Sequence, residues 1–155
     1  MNPPKINKNP DINKILIVGP NGNIGSRLIP HLLELGYEVR ALQYRTPVKP
    51  RPGLEIVQGS TLDFDSVKNA VKGTDALCHL IRATGPGKNN FEKWFNCAVA
   101  GTANLLEAAK QIGLVRFIAG GADNVFGIPV IDLSEETDRQ VVVDREEGQY
   151  LGHPT

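Results

Sequence analysis

The chain has 155 residues, room for one compact domain with a core of its own. Its 17 basic and 17 acidic side chains cancel, so no net charge directs it to nucleic acid or to a membrane surface. Two cysteines, Cys78 and Cys97, and three scattered histidines give neither a disulfide framework nor metal-ligand spacing, and they suit a reducing, cytoplasmic compartment.

The opening MNPPKINKNPDIN (1–13) is polar and unlike a signal peptide, and reads as a flexible lead-in; no apolar run reaches the length of a membrane span. Lys14-Ile-Leu-Ile-Val18 is an apolar run ending at Gly19, the pattern of a strand buried on both faces. From Asn23 to Leu35 the apolar residues Ile24, Leu28, Ile29, Leu32, Leu33 and Leu35 recur at helical spacing. Pro30 is expected to bend or weaken that helix and Gly36 to end it. Tyr37 to Leu42 reads as a second strand, Arg45 to Gly53 as a basic, proline-rich loop, and Leu54 to Val57 as a third strand. Asp63 or Asp65 caps a helix running to about Val71. Ala76 to Leu80 is a fourth strand. Phe91 to Ile112 is a long helix whose expected core face is Trp94, Phe95, Val99, Leu105, Leu106 and Ala109. Val115 to Ala119 is a fifth strand.

Strands alternating with helices give an α/β fold: a doubly wound parallel sheet, helices on both faces, with strand order 3-2-1-4-5 if every crossover is right-handed. The pattern stops at about Gly127. Residues 128–155 read as an irregular charged tail, and Gln140 to Asp144 is expected to pair as an edge strand with the fifth strand, which is otherwise open.

Gly19-Pro-Asn-Gly22-Asn-Ile-Gly25 joins the first strand to the first helix. Gly19 permits the tight turn, Gly22 lets a pyrophosphate approach the backbone, and Gly25 allows close helix packing. In this position the glycines mark residues 14–127 as a Rossmann-type dinucleotide-binding domain, with Gly19, Asn21, Gly22, Asn23, Ile24 and Gly25 against the phosphates at the helix start. A site built for NAD ends its second strand in an acid that holds the ribose hydroxyls. Here the position reads Gln43-Tyr44-Arg45, followed by Lys49 and Arg51. Arg45 suits a 2′-phosphate and Tyr44 an adenine face, so NADP is favoured over NAD.

Four stretches in order, GPNGNIGSRLIPHLLELGYEVRAL, TDALCHLIRA, GTANLLEAAKQIGLVRFI and VFG, resemble the extended short-chain dehydrogenase/reductases of the NAD-dependent epimerase/dehydratase type, which includes UDP-galactose 4-epimerase. The resemblance runs from Lys14 to about Gly127. It implies cofactor contacts from Ser60, where the family usually has Asp, and from Thr61, Leu80, Ile81 and Arg82. It carries over no catalytic residue. The family's Ser/Thr run after the fifth strand reads Ala119-Gly120-Gly121-Ala122, with Ala122 on the catalytic position. Tyr150 stands at about the distance of the family's tyrosine, but Pro154 takes the place of the lysine that lowers its pKa. Ala98 replaces the usual Asn three residues before Gly101-Thr102. The substrate lobe that follows in the family is missing, which implies a chain truncated after its nucleotide-binding half. The closing DREEGQYLGHPT resembles a short segment of sialidase-type glycoside hydrolases, too short to carry a function.

Among the remaining candidates, His79 reads as a packed strand-end histidine and Cys97 as a buried helix cysteine. The function that follows is an NAD(P)-binding domain without independent catalysis. Its partner is the dinucleotide; its substrate is open; a homodimer through the fifth-strand edge or the long helix is expected. Two readings stand beside it. One is an active oxidoreductase or sugar-nucleotide epimerase/dehydratase that completes its site through Tyr150 or a partner subunit. The other is a non-catalytic regulatory or interaction module that keeps the glycine loop for packing.

Overall fold

Alternation within one strand decides the architecture. In β1 (Lys14–Val18) the side chains of Ile15 and Ile17 enter one apolar cluster, and those of Leu16 and Val18 enter another. A strand whose two faces are both buried belongs at the centre of a sheet with a helical layer on each side. The computed structural model describes residues 8–81, 92 and 95–120, and the backbone of 140–143 and 150–153. In it β1 pairs in parallel with β2 (Glu38–Gln43) on one side and β4 (Ala76–His79) on the other. β3 (Leu54–Gln58) flanks β2 and β5 (Arg116–Ala119) flanks β4, so the order is β3-β2-β1-β4-β5. This is the Rossmann-type doubly wound sheet expected from the sequence.

Helix α1 (Gly25–Glu34) contributes Ile29 and Leu32 to the cluster that holds Ile15, Ile17, Val39 and Cys78. It runs through Pro30 without ending there. Helices α2 (Phe64–Val71) and α3 (Gly101–Ile112) cover the other face, where Val67, Ala70, Val71, Leu105 and Ala108 pack on Leu16, Val18 and Leu77. α3 is entered through one π-helical turn, Asn96–Ala100, in which the Gly101 amide reaches back to the Asn96 carbonyl.

That turn corrects the expected core face of the long helix. Gly101, Leu105, Ala108 and Ala109 are buried, whereas Phe95, Val99 and Leu106 are exposed. A π turn takes one extra residue, so Phe95 and Val99, before its end, do not share a 3.6-residue face with Leu105 and Ala109; Leu106 is turned about 100° round the helix from Leu105. Trp94 lies outside the described residues.

The amino-terminal ends of the strands are tied by polar groups. One carboxylate oxygen of Asp75 accepts the amides of Asn13 and Lys14, each at 2.8 Å. Glu55 pairs with Lys14 at 2.7 Å and Arg40 at 3.0 Å, and Arg40 also donates to the carbonyls of Ala70 and Lys72 at the end of α2.

Contacts divide the chain into two units, Met1–Gly120 and Gly121–Thr155. In the second, β6 (Gln140–Val143) pairs antiparallel with β7 (Tyr150–His153) in a two-stranded sheet of its own. Gln140–Val143 thus takes a partner close in sequence, for which the loop-closure cost is small.

Candidate cofactor site

The carboxyl ends of the strands carry the site. Gly19, the first residue past β1, has φ +94°, and a Cβ there would lie 2.9 Å from the Leu80 carbonyl carbon. Both the backbone angle and the contact with the end of β4 require glycine. Gly25 is required for a different reason. Its φ is ordinary, but a Cβ would fall 2.3 Å from the Gly19 carbonyl oxygen, so the first turn of α1 lies directly on the loop. Gly22 differs from both, since a Cβ there would make only a contact of 3.4 Å with Gly19 O. Packing among the described residues does not require glycine at that position.

Among the described residues no side chain caps α1. The amides of Asn23, Ile24 and Gly25 find no acceptor among the described residues, while Ser26 and Leu28 already donate to Gly22 and Ile24. Unmet amides at a helix start attract an anion.

A cavity of about 470 Å³ opens beside this loop, lined by Val18 at the end of β1 and by Tyr44, Arg45, Ser60, Thr61 and Ile81. Five sequence candidates thus meet in one space. The Arg45 guanidinium carbon lies 5.0 Å from the centre of the Tyr44 ring, so cation and ring form one stacked surface. Gln43, at the strand end where an acid would hold ribose, is committed elsewhere. Its side chain accepts the Val48 amide at 2.7 Å and donates to Gln58 at 2.8 Å, and Gln58 in turn donates to the Tyr44 carbonyl. This network, with Val48 buried beneath it, fixes the loop that presents Tyr44 and Arg45.

The other candidates are placed differently. The Asn21 side chain donates to the Thr46 carbonyl at 2.8 Å, tying the glycine loop to the Arg45 loop. Asn23 and Ile24 face an open depression with Arg27, Leu28 and His31 on the outside of α1. Leu80 packs on the α1-side core and donates its amide to Val18. Arg82 lies outside the described residues, as do Gly121, Ala122 and Pro154. Ser60 accepts the Leu62 amide at 3.2 Å in a local turn. Asp63, three residues on, caps α2 through Asp65 and Ser66, so its carboxylate does not stand in for the Asp usual at the position of Ser60.

Sequence reasoning missed Leu62, Glu92, Asn96 and Cys97, which also line the cavity. Cys97 is half-buried rather than buried, because the π turn presents it to the cavity. The floor is pinned by α3: a Cβ on Gly101 would meet Thr61 Oγ1 at 2.7 Å, and Asn104 donates to the Thr61 carbonyl at 2.9 Å. His79 is buried at the end of β4, and burial pulls its pKa below the ordinary histidine value. Burial pushes the Cys78 thiol up, which leaves it inert. Among the described residues no group of three or more His, Cys, Asp or Glu is placed to hold a metal ion, and no helix is long and apolar enough to cross a membrane.

The sequence pattern of the NAD dependent epimerase/dehydratase family matches residues 15–149. The chain belongs to this family. Among curated relatives it is 30% identical over 122 residues to a 3-beta-hydroxysteroid dehydrogenase of Mycolicibacterium neoaurum, covering 74% of this chain and 33% of that protein. It is 28% identical over 141 residues to cinnamoyl-CoA reductase 1 of Petunia hybrida, covering 84% of this chain and 40% of the relative. The Bordetella bronchiseptica enzyme WbmH, solved in complex with NAD+, superposes with a TM-score of 0.67 at 26% identity, over 78% of this chain and 43% of the enzyme. Uronate dehydrogenase from Agrobacterium tumefaciens does so with a TM-score of 0.62 at 26% identity, over 71% of this chain and 41% of the enzyme. The chain therefore spans less than half of the length of these proteins.

Proposed function

We propose that this chain is a dinucleotide-binding domain of the epimerase/dehydratase family, that it takes NADP in preference to NAD, and that it has no catalysis of its own. The observation that carries the reading is the cavity beside the glycine loop, with Arg45 stacked on Tyr44 at the end of β2. The residues fit the group. Unmet amides at the start of α1 suit a pyrophosphate, and Gly22 leaves its approach open. Tyr44 offers a face for adenine. Arg45 offers a charge-assisted donor to a 2′-phosphate, and Gln43 is held away from the ribose. Glu92 is the carboxylate among the lining residues, and it comes from the segment leading into α3 rather than from β2. The NAD carried by the solved neighbour belongs to that enzyme; the preference for NADP rests on the β2 end of this chain.

The absence of catalysis is supported by Ala122 and Pro154 at the positions where the family has its Ser/Thr and Lys. A homodimer is part of the proposal, supported by Val99 and Leu106, exposed large apolar residues on the long helix. So is a reducing, cytoplasmic location, in keeping with two free cysteines.

The test is a thermal-shift titration with NADPH and, separately, NADH. The proposal expects saturable stabilisation by both and a lower half-saturation concentration for NADPH. Stabilisation by neither at millimolar concentration overturns it. Reduction of a carbonyl by the purified chain with NADPH would overturn the non-catalytic part alone.

A further inference from the structure

The cavity wall contains a π turn, a rare geometry that has to be held against closing to the commoner α-helical register. The structure shows a chain of polar contacts that reaches it from the sheet. His79 Nε2 lies 2.9 Å from Thr102 Oγ1, and Thr102 Oγ1 lies 2.8 Å from the Ala98 carbonyl oxygen. The Thr102 hydroxyl has a single proton, and a carbonyl only accepts. Thr102 therefore donates to Ala98 and must accept from His79, which places the imidazole proton on Nε2. Nδ1 is left as a bare acceptor. That agrees with its surroundings, since Nδ1 is buried without a partner among the described residues and a second proton there would meet no acceptor. Burial lowers the His79 pKa and keeps the ring neutral.

The two ends of the chain differ in rigidity. His79 is fixed in β4, between Val18 of β1 and Ala119 of β5, and its carbonyl accepts the Gly120 amide at 2.9 Å. Ala98 is in the middle of the π turn and has no side-chain polar group of its own. A threonine hydroxyl that bonds to the carbonyl four residues earlier competes with the helical amide and opens the turn. Asn96 and Cys97, just before that carbonyl, line the cavity.

We propose that His79 and Thr102 are positioning residues, which transmit the rigidity of the sheet to the π turn and so hold Asn96 and Cys97 in the cavity wall. This rests on the reading that the cavity takes a dinucleotide. Without the hydroxyl, the turn is free to close to ordinary α-helical register, which rotates the residues before it by roughly 100° about the helix axis.

The experiment compares the intact chain with Thr102→Val and Thr102→Ser. The first readout needs no dinucleotide. It is the alkylation rate of Cys97 by iodoacetamide, followed by mass spectrometry, with buried Cys78 as internal reference. The second is NADPH affinity, and melting temperature is recorded for each chain. Thr102→Val is expected to change the Cys97 rate by about threefold or more and to weaken NADPH by about fivefold, the effect of one hydrogen bond. Thr102→Ser keeps the hydroxyl and is expected to restore both, which a role in packing alone would not produce. The inference is overturned if Thr102→Val leaves the Cys97 rate and the affinity as in the intact chain, or if Thr102→Ser behaves like Thr102→Val. Should no chain bind NADPH while the Cys97 rates still separate Val from Ser, the positioning role stands and the dinucleotide reading falls.

Discussion

Replacing Gly25 by alanine separates the two jobs of the glycine loop. The new Cβ would lie 2.3 Å from the Gly19 carbonyl oxygen and 3.0 Å from Pro20 Cα, where real Cβ atoms essentially never come closer than 3.0 Å. Both neighbours are backbone, so relief requires the loop or the helix to move by most of an ångström. Overpacking of this kind costs about 1–3 kcal/mol. The helix propensity of alanine returns up to about 1 kcal/mol at an interior position and less at a first turn. The net expectation is a loss of about 1–2 kcal/mol, a fall in melting temperature of roughly 2–8 °C, and weaker NADPH binding, because the displaced loop carries the unmet amides. Gly22→Ala is the companion. Its Cβ meets only Gly19 O, at 3.4 Å, so stability should stay within about 0.5 kcal/mol while NADPH affinity falls. Urea unfolding and an NADPH titration on both variants measure the four quantities. A Gly25→Ala chain more stable than the parent, or a Gly22→Ala chain that binds NADPH undiminished, refutes the account.

Three other outcomes follow. Arg45→Ala should reduce NADPH affinity by about tenfold to a hundredfold while leaving NADH nearly unchanged, in parallel titrations, since a charge-assisted contact contributes about 1.5–3 kcal/mol. Asp75→Ala removes the acceptor for the Lys14 and Asn13 amides and should cost about 1–3 kcal/mol by urea unfolding at pH 7. Those amides, Lys14 first, hold the Asp75 carboxyl below the usual carboxylate range. Its contribution is therefore complete above the unfolded carboxylate value near 3.9 and is lost as pH falls towards the lower folded value, so the gap between the two chains should close in acid. Leu106→Lys, at a side chain 49% exposed, should shift sedimentation from dimer to monomer without lowering the melting temperature of the monomer.

Much of the fold was legible because Lys14–Val18 is apolar at every position after Lys14, and only the centre of a parallel sheet asks for that. The glycine loop was legible for a related reason, since its spacing is set by backbone contacts that no larger residue permits at Gly19 or Gly25. The π turn left no such mark: one inserted residue changes the phase of an apolar pattern without changing its composition, so Phe95 and Val99 read as core. Asn96 and Cys97 were missed with it. Asn21 has a side chain that serves a phosphate or a carbonyl equally well, and only the fold shows it bonded to Thr46. Gln43 looked like a gap where an acid belongs. It is a strut, bound to Val48 and Gln58, under the loop that presents Arg45. The partner of Gln140–Val143 was illegible because Tyr150–His153 includes a glycine and lacks strand alternation.

The central claim is that a dinucleotide lies across the glycine loop and the cavity at the end of β2. Amide NMR of the isotope-labelled chain, titrated with NADPH, tests it most directly. The account predicts saturable shifts concentrated at Gly22, Asn23, Ile24 and Gly25 and at Tyr44, Arg45, Ser60 and Thr61, with Asp75 at the opposite ends of the strands unmoved. No shifts at millimolar NADPH, or shifts clustered away from both loops, would contradict it.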